Sequence, residues 1–387
     1  MPLAGREVQL TEDQVALIDT VRDFARAELL PLDRKCDKDE SSMVEALPQV
    51  SRMGLMNLTI PEELGGLGCE YRTYVAILHE LAYASPSMAV TISVHSMVGA
   101  ILAKLAEEPF RSEWLSAWGT PESFAAFALS EANAGSDAAA VAATAVKADG
   151  GYRITGEKMW ITNGMKARWF LTLARLDGAP QGEDLCAFLV DGNENSAAIQ
   201  RTHVHGKMGI RGSETAVIAY DDAFAPESHM IGKPGEGLKV FLSTLNEGRI
   251  GIGTQASGIA EACLDEMAAY AKQRVQFGRP IAKFQAVANM IAESALMLEA
   301  AKALIWCAAE KLDAGRPDRV ASSMAKLYAT EAANRIAYHA VQVHGGSGYV
   351  NEYRVEQLYR DARVTTIYEG TSEVQRILIA RELAQHL

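Results

Sequence analysis

Apolar residues in the first third of the chain recur at the spacing of amphipathic helices. Between residues 15 and 29 they return every three or four positions, and a capping-box pattern precedes them at Thr11 and Gln14. We expect this helix to end at Pro31, because proline removes a donor from the helix interior. Further helices are predicted at Tyr71–Tyr83, Pro86–Ala106 and Arg111–Trp118.

One segment is apolar enough to raise the question of a membrane. Leu81–Ala103 runs 23 residues without a formal charge, which is long enough to cross a bilayer. The same segment contains Pro86, His95, Thr91 and four serines, which are unfavourable in hydrocarbon. We therefore expect a buried helix that lines a pocket, and no membrane span.

The pattern changes near residue 121. From there to about Pro234, short runs of β-forming residues alternate with turn dipeptides, which is typical of an antiparallel meander, sandwich or barrel. The turn dipeptides recur every 14 residues, at Asp149-Gly150, Asn163-Gly164, Asp177-Gly178 and Asp191-Gly192.

The pattern changes again after Pro234, since only Pro280 and Pro317 interrupt the remaining 153 residues. Long helices are predicted at Leu238–Gln273, Phe284–Ala314 and Asp318–Val343. Another follows Gly370, with Thr371 or Ser372 as its cap. Long helices with short breaks predict an antiparallel bundle.

The predicted fold is therefore an α+β chain of three domains. Residues 1–120 form an N-terminal α-helical domain, residues 121–234 a central antiparallel β-domain, and residues 235–387 a C-terminal helical bundle.

Composition narrows the function classes. Of 387 residues, 37 are Lys or Arg and 49 are Asp or Glu, which gives a net charge of −12 and disfavours nucleic acid and anionic membranes as partners. The five cysteines form no Cys-x-x-Cys pair, and no apolar leader follows Met1. We expect reduced thiols and a cytoplasmic protein, with a mature mitochondrial protein as the alternative.

Common cofactor motifs are missing from the sequence. It has no Gly-x-Gly-x-x-Gly after a strand, no P-loop and no Gly-x-Ser-x-Gly elbow. His203 and His205 lack a nearby third ligand, so a surface or structural pair is favoured and no metal site is predicted.

Two segments suit a polar or planar ligand. Residues 127–137 combine glycine, hydroxyl and carboxylate residues that can offer donors to a phosphate or ring edge, although composition favours a tight turn. Trp160 and Thr162 are predicted to share one strand face before the turn at Asn163-Gly164. An indole beside a hydroxyl suits a planar aromatic cofactor, but the pattern alone favours a core strand.

The segment Ile367–Arg376 contains a candidate general base. Glu369 lies in a loop beside apolar residues, where desolvation would raise the pKa of its carboxyl group. Glu373 is the rival, but in the first helical turn it is better explained as a capping carboxylate.

These segments together resemble the acyl-CoA dehydrogenase family over nearly the whole chain. The matching segments are Leu129–Asp137, Trp160–Thr162, Gly209–Gly212, Arg274–Gly278, Gln342–Gly346 and Ile367–Glu373. Each is weak alone, but their shared order and spacing are specific. The resemblance implies a helical domain, a β-domain and a four-helix bundle, with FAD as cofactor and a homotetramer as the assembly.

The family's site residues can be carried over to this sequence. The residues that the resemblance assigns to FAD are Phe127, Leu129, Ser130, Gly135, Ser136, Trp160, Ile161, Thr162, Arg274, Gln276, Phe277, Phe284, Gln285, Gln342, Val343, His344, Gly345, Gly346, Thr371, Ser372 and Glu373. Those at 274–277 and 342–346 are expected to meet the FAD of a neighbouring subunit. The residues assigned to the substrate are Ser136, Asn246, Arg249, Tyr368 and Gly370.

The resemblance also implies the reaction. Glu369 resembles the base that removes the α-proton of an acyl-CoA thioester, while a hydride passes from the β-carbon to the flavin and the product is a trans-2-enoyl-CoA. Electrons then pass to electron-transferring flavoprotein. Some relatives carry the base just before Arg249, where this chain has Gly248. Glu247 is expected to point away, since one helical residue turns a side chain by about 100°.

The identity of the substrate and two alternative functions remain open at this point. No Lys or Arg lies in Met88–Ser96, so a neutral acyl group is expected, of short-chain or branched short-chain type. The alternatives are a flavin oxidase or monooxygenase of the same fold, and a non-catalytic FAD-containing nucleic-acid binder. The acidic charge and the retained Glu369 disfavour the last.

Overall fold

The computed structural model of the protein describes residues 10–180 and 182–384. Its first part is helical, and its α-helices are α1 Glu12–Phe24, α2 Leu30–Asp39, α3 Leu47–Arg52, α4 Tyr71–Ala84, α5 Pro86–Leu105 and α6 Phe110–Ser116. The predicted capping box opens α1: the Gln14 N–H donates to Thr11 Oγ1 at 3.2 Å, and the Thr11 N–H donates to Gln14 Oε1 at 2.9 Å.

The prediction that the first helix ends at Pro31 is wrong. A five-residue π-helical turn, Ala25–Leu29, joins α1 to α2, and Pro31 lies in the first turn of α2. N–H groups in a first turn lack an intrahelical acceptor, so proline removes no hydrogen bond there.

Helix α5 is a core helix. It is long and apolar enough to cross a bilayer, but 78% of its most apolar 18-residue stretch is buried inside the protein. His95, in the middle of α5, stacks on Trp118 with 4.7 Å between ring centroids. Burial lowers the pKa of His95 to about 4, which keeps the imidazole uncharged at neutral pH.

The middle of the chain forms one eight-stranded sheet. Its strands are β1 Ala125–Ala128, β2 Thr144–Ala148, β3 Gly151–Thr162, β4 Trp169–Leu176, β5 Leu185–Asp191, β6 Ile199–His203, β7 Thr215–Pro226 and β8 Met230–Ile231. The strand order is β6-β7-β3-β2-β4-β5-β8, and β1 pairs with β4.

Most neighbouring strands are antiparallel, as predicted, but β1 and β2 each pair with β4 in parallel. Asp149-Gly150 closes the expected hairpin, with Ala148 opposite Gly151. Asn163-Gly164 closes no hairpin, because β3 pairs with β2 and β7 and not with the following β4. The regular spacing of turn dipeptides therefore does not correspond to a regular meander.

The last part of the chain is again helical. Its elements are α7 Gly237–Ser243, α8 Leu245–Gln273, β9 Val275–Gln276, β10 Arg279–Pro280, α9 Gln285–Asp313, α10 Arg319–His344, α11 Arg354–Val364 and α12 Ser372–Ala384. The predicted run from Leu238 is broken near Thr244, and α11 was not predicted. Helix α10 packs on α8 and α9, which gives the predicted bundle.

A polar junction ties the three parts together. The Arg360 guanidinium on α11 pairs with Asp37 on α2 at 2.6 Å and also donates to the Met208 carbonyl at 3.0 Å. The neighbouring Asp361 accepts a hydrogen bond from the backbone N–H of Ile210. These contacts fix α11, and with it the start of the loop that follows.

Candidate active site

Glu369 lies in the loop between α11 and α12. Glu369 and Gly370 are both left-handed, with φ of 53° and 87°, and a non-glycine residue rarely adopts this conformation. The residue is partly exposed, but the Oε2 atom of its carboxylate is buried and has no hydrogen-bond partner. Burial raises the pKa of Glu369, while the cations of Lys326 and Arg249 act to lower it.

Backbone contacts hold this loop in place. Lys326 Nζ donates to the Gly370 carbonyl at 2.6 Å, and Gln375 Nε2 donates to the same oxygen at 3.0 Å. Thr371 caps α12, since its Oγ1 accepts from the Val374 N–H at 3.3 Å. Because the anchors are buried, the strained conformation at Glu369 is maintained by its surroundings.

Two cations flank the carboxylate. Lys326 is fully buried, and burial lowers its pKa to about 8, with Glu369 opposing that change. Burial also lowers the pKa of Arg249 to about 10, again opposed by Glu369. Sequence reasoning missed Lys326, because it lies on α10, far from Glu369 in the chain.

Of the residues assigned to the substrate, Arg249, Tyr368 and Gly370 lie beside Glu369, and Asn246 contacts Arg249. Arg249 Nη1 donates to Asn246 Oδ1 at 3.0 Å, whereas Arg249 Nε is buried without a partner. The Tyr368 hydroxyl donates to the side-chain oxygen of Gln255 on α8. An unpaired guanidinium N–H beside a buried carboxylate is a donor available to a ligand.

Apolar side chains wall this region. A cluster from α5, α8, β1 and the segments around α11 comprises Val90, Val94, Phe127, Ile210, Ile252, Val364 and Tyr368. Such a wall excludes water and strengthens the interactions of the charged groups beside it.

Gly248 on α8 lies directly against Glu369, the candidate base. A Cβ atom at this position would lie 2.9 Å from Glu369 Oε2 and 3.1 Å from Met97 Sδ, so a side chain here would displace the carboxylate. The expectation that Glu247 points away from the position of the base stays a prediction. Glu247 pairs with Lys104 and lines a small cavity together with Gly248.

A buried ion pair shapes the loop at residues 129–137. Lys158 Nζ lies 2.7 Å from Glu131 Oε1 and donates to the Leu129 carbonyl at 3.1 Å. Glu131 also accepts from the backbone N–H groups of Ala142 at 2.6 Å and Ala143 at 3.1 Å. Sequence reasoning missed this pair, although Lys158 stands among strand residues where a charge is unusual.

Trp160 does not alternate with Thr162 on a regular strand. The β3–β7 register shifts between Lys158 and Ile161, and Trp160 has φ of 63° in this bulge. The indole is 61% exposed while Ile161 is buried. The Met159 N–H donates to the Ser130 carbonyl at 2.8 Å, so the exposed indole stands next to the 129–137 loop.

A second group of predicted residues lies at the other end of α8. Phe277, in the β9–β10 hairpin, is 92% exposed and has φ of 50°. The His344 ring stacks on Tyr270 with centroids 4.2 Å apart. Gly248, beside Glu369, and Tyr270, beside His344, are 22 residues apart on α8. The residues around Glu369 and those around His344 are therefore separated by about 30 Å.

The surfaces at both ends can accept a large planar and anionic cofactor. An ideal Cβ atom at Gly135, Gly345 or Gly346 would have no other atom within 4 Å, so ligands can approach these backbones closely. Exposed aromatic rings stand beside both loops, at Trp160 and Phe277. These features fit FAD, which is both aromatic and a polyanion.

The histidine pair at 203 and 205 and the cysteines were also considered as possible sites. The His203 and His205 rings contact each other at 3.2 Å, and His205 lies 3.7 Å from Glu40. Within residues 10–180 and 182–384, no three His, Cys, Asp or Glu side chains are grouped to hold a metal ion. The five cysteines are free: Cys36, Cys69, Cys186, Cys263 and Cys307.

Family models for the N-terminal, middle and C-terminal domains of acyl-CoA dehydrogenase match residues 11–120, 126–223 and 235–384. The chain belongs to the acyl-CoA dehydrogenase family. Its members are FAD-dependent oxidoreductases of fatty acid β-oxidation, so the predicted enzyme class and cofactor are confirmed.

Similar acyl-CoA dehydrogenases span nearly the whole chain. The human mitochondrial short-chain specific acyl-CoA dehydrogenase is 39% identical over 98% of this chain and 92% of its own length. Butyryl-CoA dehydrogenase from Megasphaera elsdenii superposes with a TM-score of 0.94 at 32% identity, covering 98% and 100% of the two chains.

A third similar chain comes from a structure described as the electron transferring flavoprotein of Acidaminococcus fermentans. It has a TM-score of 0.94 and 34% identity, and the superposition covers 98% of this chain and 99% of that one. The three-domain fold predicted for this acyl-CoA dehydrogenase is therefore confirmed.

Proposed function

We propose that the protein dehydrogenates a short-chain or branched short-chain acyl-CoA to a trans-2-enoyl-CoA and that an electron-transferring flavoprotein accepts the electrons. The observation that carries the proposal is the buried Glu369 carboxylate, with one oxygen unpartnered among apolar walls. The names of the human and Megasphaera relatives support a short acyl chain.

The chemistry follows from what surrounds Glu369. Burial raises the pKa of Glu369, which makes the carboxylate a stronger base toward the weakly acidic α-proton of a thioester. The nearby Arg249 and Lys326 stabilise negative charge in this dry region. FAD, when bound, accepts the hydride that leaves the β-carbon.

The acyl group is proposed to be neutral. Helix α5, which contributes Val90 and Val94 to the apolar wall, has no Lys or Arg between residues 88 and 96. A distal carboxylate beside residues 88–96 would therefore be buried without a cationic partner from this part of the helix, which is strongly unfavourable.

We also propose that the chain works as a homotetramer. The two groups of predicted FAD residues lie at opposite ends of α8, and the hairpin group, with Phe277, is exposed. Contributions from a second subunit would bring both groups to one cofactor and cover that exposed ring. Sedimentation equilibrium measures the assembly, and a monomeric holoenzyme with full activity contradicts this proposal.

Lys326→Met is expected to shift the pH profile of kcat/KM. The base acts when deprotonated, so the rate rises with pH through the pKa of Glu369. The positive charge of Lys326 lowers that pKa, so removing it moves the acid limb to higher pH. Lys326→Arg, which keeps the charge, should leave the limb near its wild-type position. An unshifted limb in Lys326→Met contradicts the proposed coupling.

Gly248→Ala is expected to lower the rate of flavin reduction by at least about tenfold, because the new methyl group displaces the Glu369 carboxylate. Alanine favours a helix more than glycine does, so no large loss of helix stability is expected. Rapid-mixing kinetics and thermal unfolding separate the two effects. Wild-type kinetics in this variant would contradict the close approach of Gly248 to Glu369.

The proposal is tested by anaerobic flavin bleaching with straight, branched and aromatic acyl-CoAs. Bleaching by butyryl-CoA or a branched four- or five-carbon homologue, and slow reoxidation in air, are expected. The reduced enzyme should then reduce an electron-transferring flavoprotein rapidly. Rapid reoxidation by oxygen would instead indicate a flavin oxidase or monooxygenase, and no bleaching by any thioester would overturn the dehydrogenase proposal.

A further inference from the structure

A small cavity lies next to Gly248, close to the Glu369 carboxylate. Gly248 forms part of its wall, and a Cβ atom there would lie 2.9 Å from Glu369 Oε2. The cavity has a volume of about 10 Å³, which is room for one water-sized group. Gly248 therefore borders both this cavity and Glu369.

The wall of the cavity is polar. Tyr74, Ser93 and Ser96 line it, and the hydroxyls of Ser93 and Ser96 lie close enough to Tyr74 to lower the pKa of its phenol, against a larger opposite effect of burial. Ser96 Oγ is buried without a hydrogen-bond partner. An acyl pocket meant for a plain alkyl end would not be expected to bury these hydroxyls.

Glu247 adds a carboxylate to this wall. Its side chain is only 10% exposed, and while Oε1 pairs with Lys104, Oε2 is buried without a partner. Tyr71 lines the same cavity, and after burial the Glu247 carboxylate is the next largest cause of the raised pKa of the Tyr71 phenol. Two residues of the cavity wall therefore have a buried oxygen without a partner: Glu247 at Oε2 and Ser96 at Oγ.

We propose that the end of the acyl group lies in this cavity, and that the preferred acyl group is short and ends in a hydroxyl, with Glu247 and Ser96 as its specificity-determining residues. A hydroxyl can donate to Glu247 Oε2 and accept from Ser96 Oγ, whereas a methyl group leaves both unpaired. An acyl chain ending in a carboxylate would meet the charge of Glu247 and be repelled. This inference rests on the dehydrogenase function proposed above.

The test compares acyl ends of equal size in the FAD-loaded enzyme. 4-Hydroxybutyryl-CoA and valeryl-CoA differ by a hydroxyl in place of a methyl group, and glutaryl-CoA carries a distal anion. We expect kcat/KM for 4-hydroxybutyryl-CoA to exceed that for valeryl-CoA by at least about tenfold, because buried polar groups discriminate strongly against an analogue that leaves them unpaired. Glutaryl-CoA should be the poorest substrate.

Two variants test whether the residues of this cavity cause the preference for the hydroxyl-ended substrate. Glu247→Met keeps the length of the side chain but removes the acceptor, so the ratio of the two kcat/KM values should fall to about one or reverse. Ser96→Ala should reduce the ratio by several-fold. Glu194→Met, at an exposed glutamate between β5 and β6, is the matched control and should keep the wild-type ratio.

The outcomes separate this inference from the function on which it rests. If no thioester bleaches the flavin, the dehydrogenase proposal fails. If valeryl-CoA reacts as well as 4-hydroxybutyryl-CoA or better, the enzyme is a dehydrogenase and the hydroxyl preference is overturned. If Glu247→Met keeps the wild-type ratio, the role of Glu247 is overturned.

Discussion

Glu369→Gln is expected to lower the rate of flavin reduction by saturating acyl-CoA by about 10²–10⁴-fold, the usual contribution of a positioned general base. Glutamine has nearly the same size and keeps the loop between α11 and α12 filled, but its amide cannot take up the α-proton. The change also removes the buried charge that lies near Arg249 and Lys326. Substrate and FAD should still bind.

Anaerobic stopped-flow absorbance measures this rate, and the FAD-to-protein ratio verifies that the cofactor is retained. Glu194→Gln is the matched control, because Glu194 is an exposed carboxylate between β5 and β6 and is assigned to neither FAD nor substrate. Near-normal turnover in a FAD-loaded Glu369→Gln enzyme would show that another group is the base.

Lys158→Met is expected to lower the free energy of unfolding by about 3–5 kcal/mol, because removing one partner of a buried ion pair leaves the other charge uncompensated. Lys158 is fully buried and lies 2.7 Å from Glu131. Burial acts to raise the pKa of Glu131, but Lys158 and the two backbone donors outweigh it and hold that pKa below its usual value. Methionine supplies neither the charge nor the hydrogen bond to Leu129.

A local consequence should accompany the lost stability. The Glu131–Lys158 pair anchors the loop at residues 129–137, so the variant should also release FAD more readily during gel filtration. The double variant Lys158→Met/Glu131→Gln should recover part of the stability, since no charge is then buried alone.

Urea unfolding followed by circular dichroism measures the change, and Lys147→Met is the control. Lys147 pairs with Glu227 at 2.7 Å, but both side chains are more than half exposed, so little effect is expected. A Lys158→Met variant as stable as this control would contradict the importance of the buried pair.

Local features of the chain were predictable because they depend on neighbours in sequence. The capping box at Thr11, the cap of α12 at Thr371 and the Asp149-Gly150 hairpin depend on residues a few positions apart. The long helices of the bundle followed from their apolar periodicity. Glu369 was identified as the base candidate because a carboxylate stood beside glycine among apolar residues.

The pairing of the strands could not be predicted from the sequence as well. That β1 lies parallel to β4 depends on side-chain packing between segments about 44 residues apart in the chain, on which a turn dipeptide carries no information. The bulge at Trp160 also depends on β7, against which the register of β3 shifts. The alternation expected for Trp160 and Thr162 was therefore interrupted by a partner strand that the local pattern does not identify.

The sequence by itself determined the order of helical and β-forming segments, the family and the identity of the base candidate, because periodicity, caps and ordered motifs are properties of the linear chain. Only the tertiary structure decided the environment of that base. Lys326 and Gly248 come from two different helices to meet Glu369, and Glu247 turns into the adjacent cavity. The burial and charge that set the pKa of Glu369 arise only when distant segments pack together, and for this reason its chemistry depends on the fold.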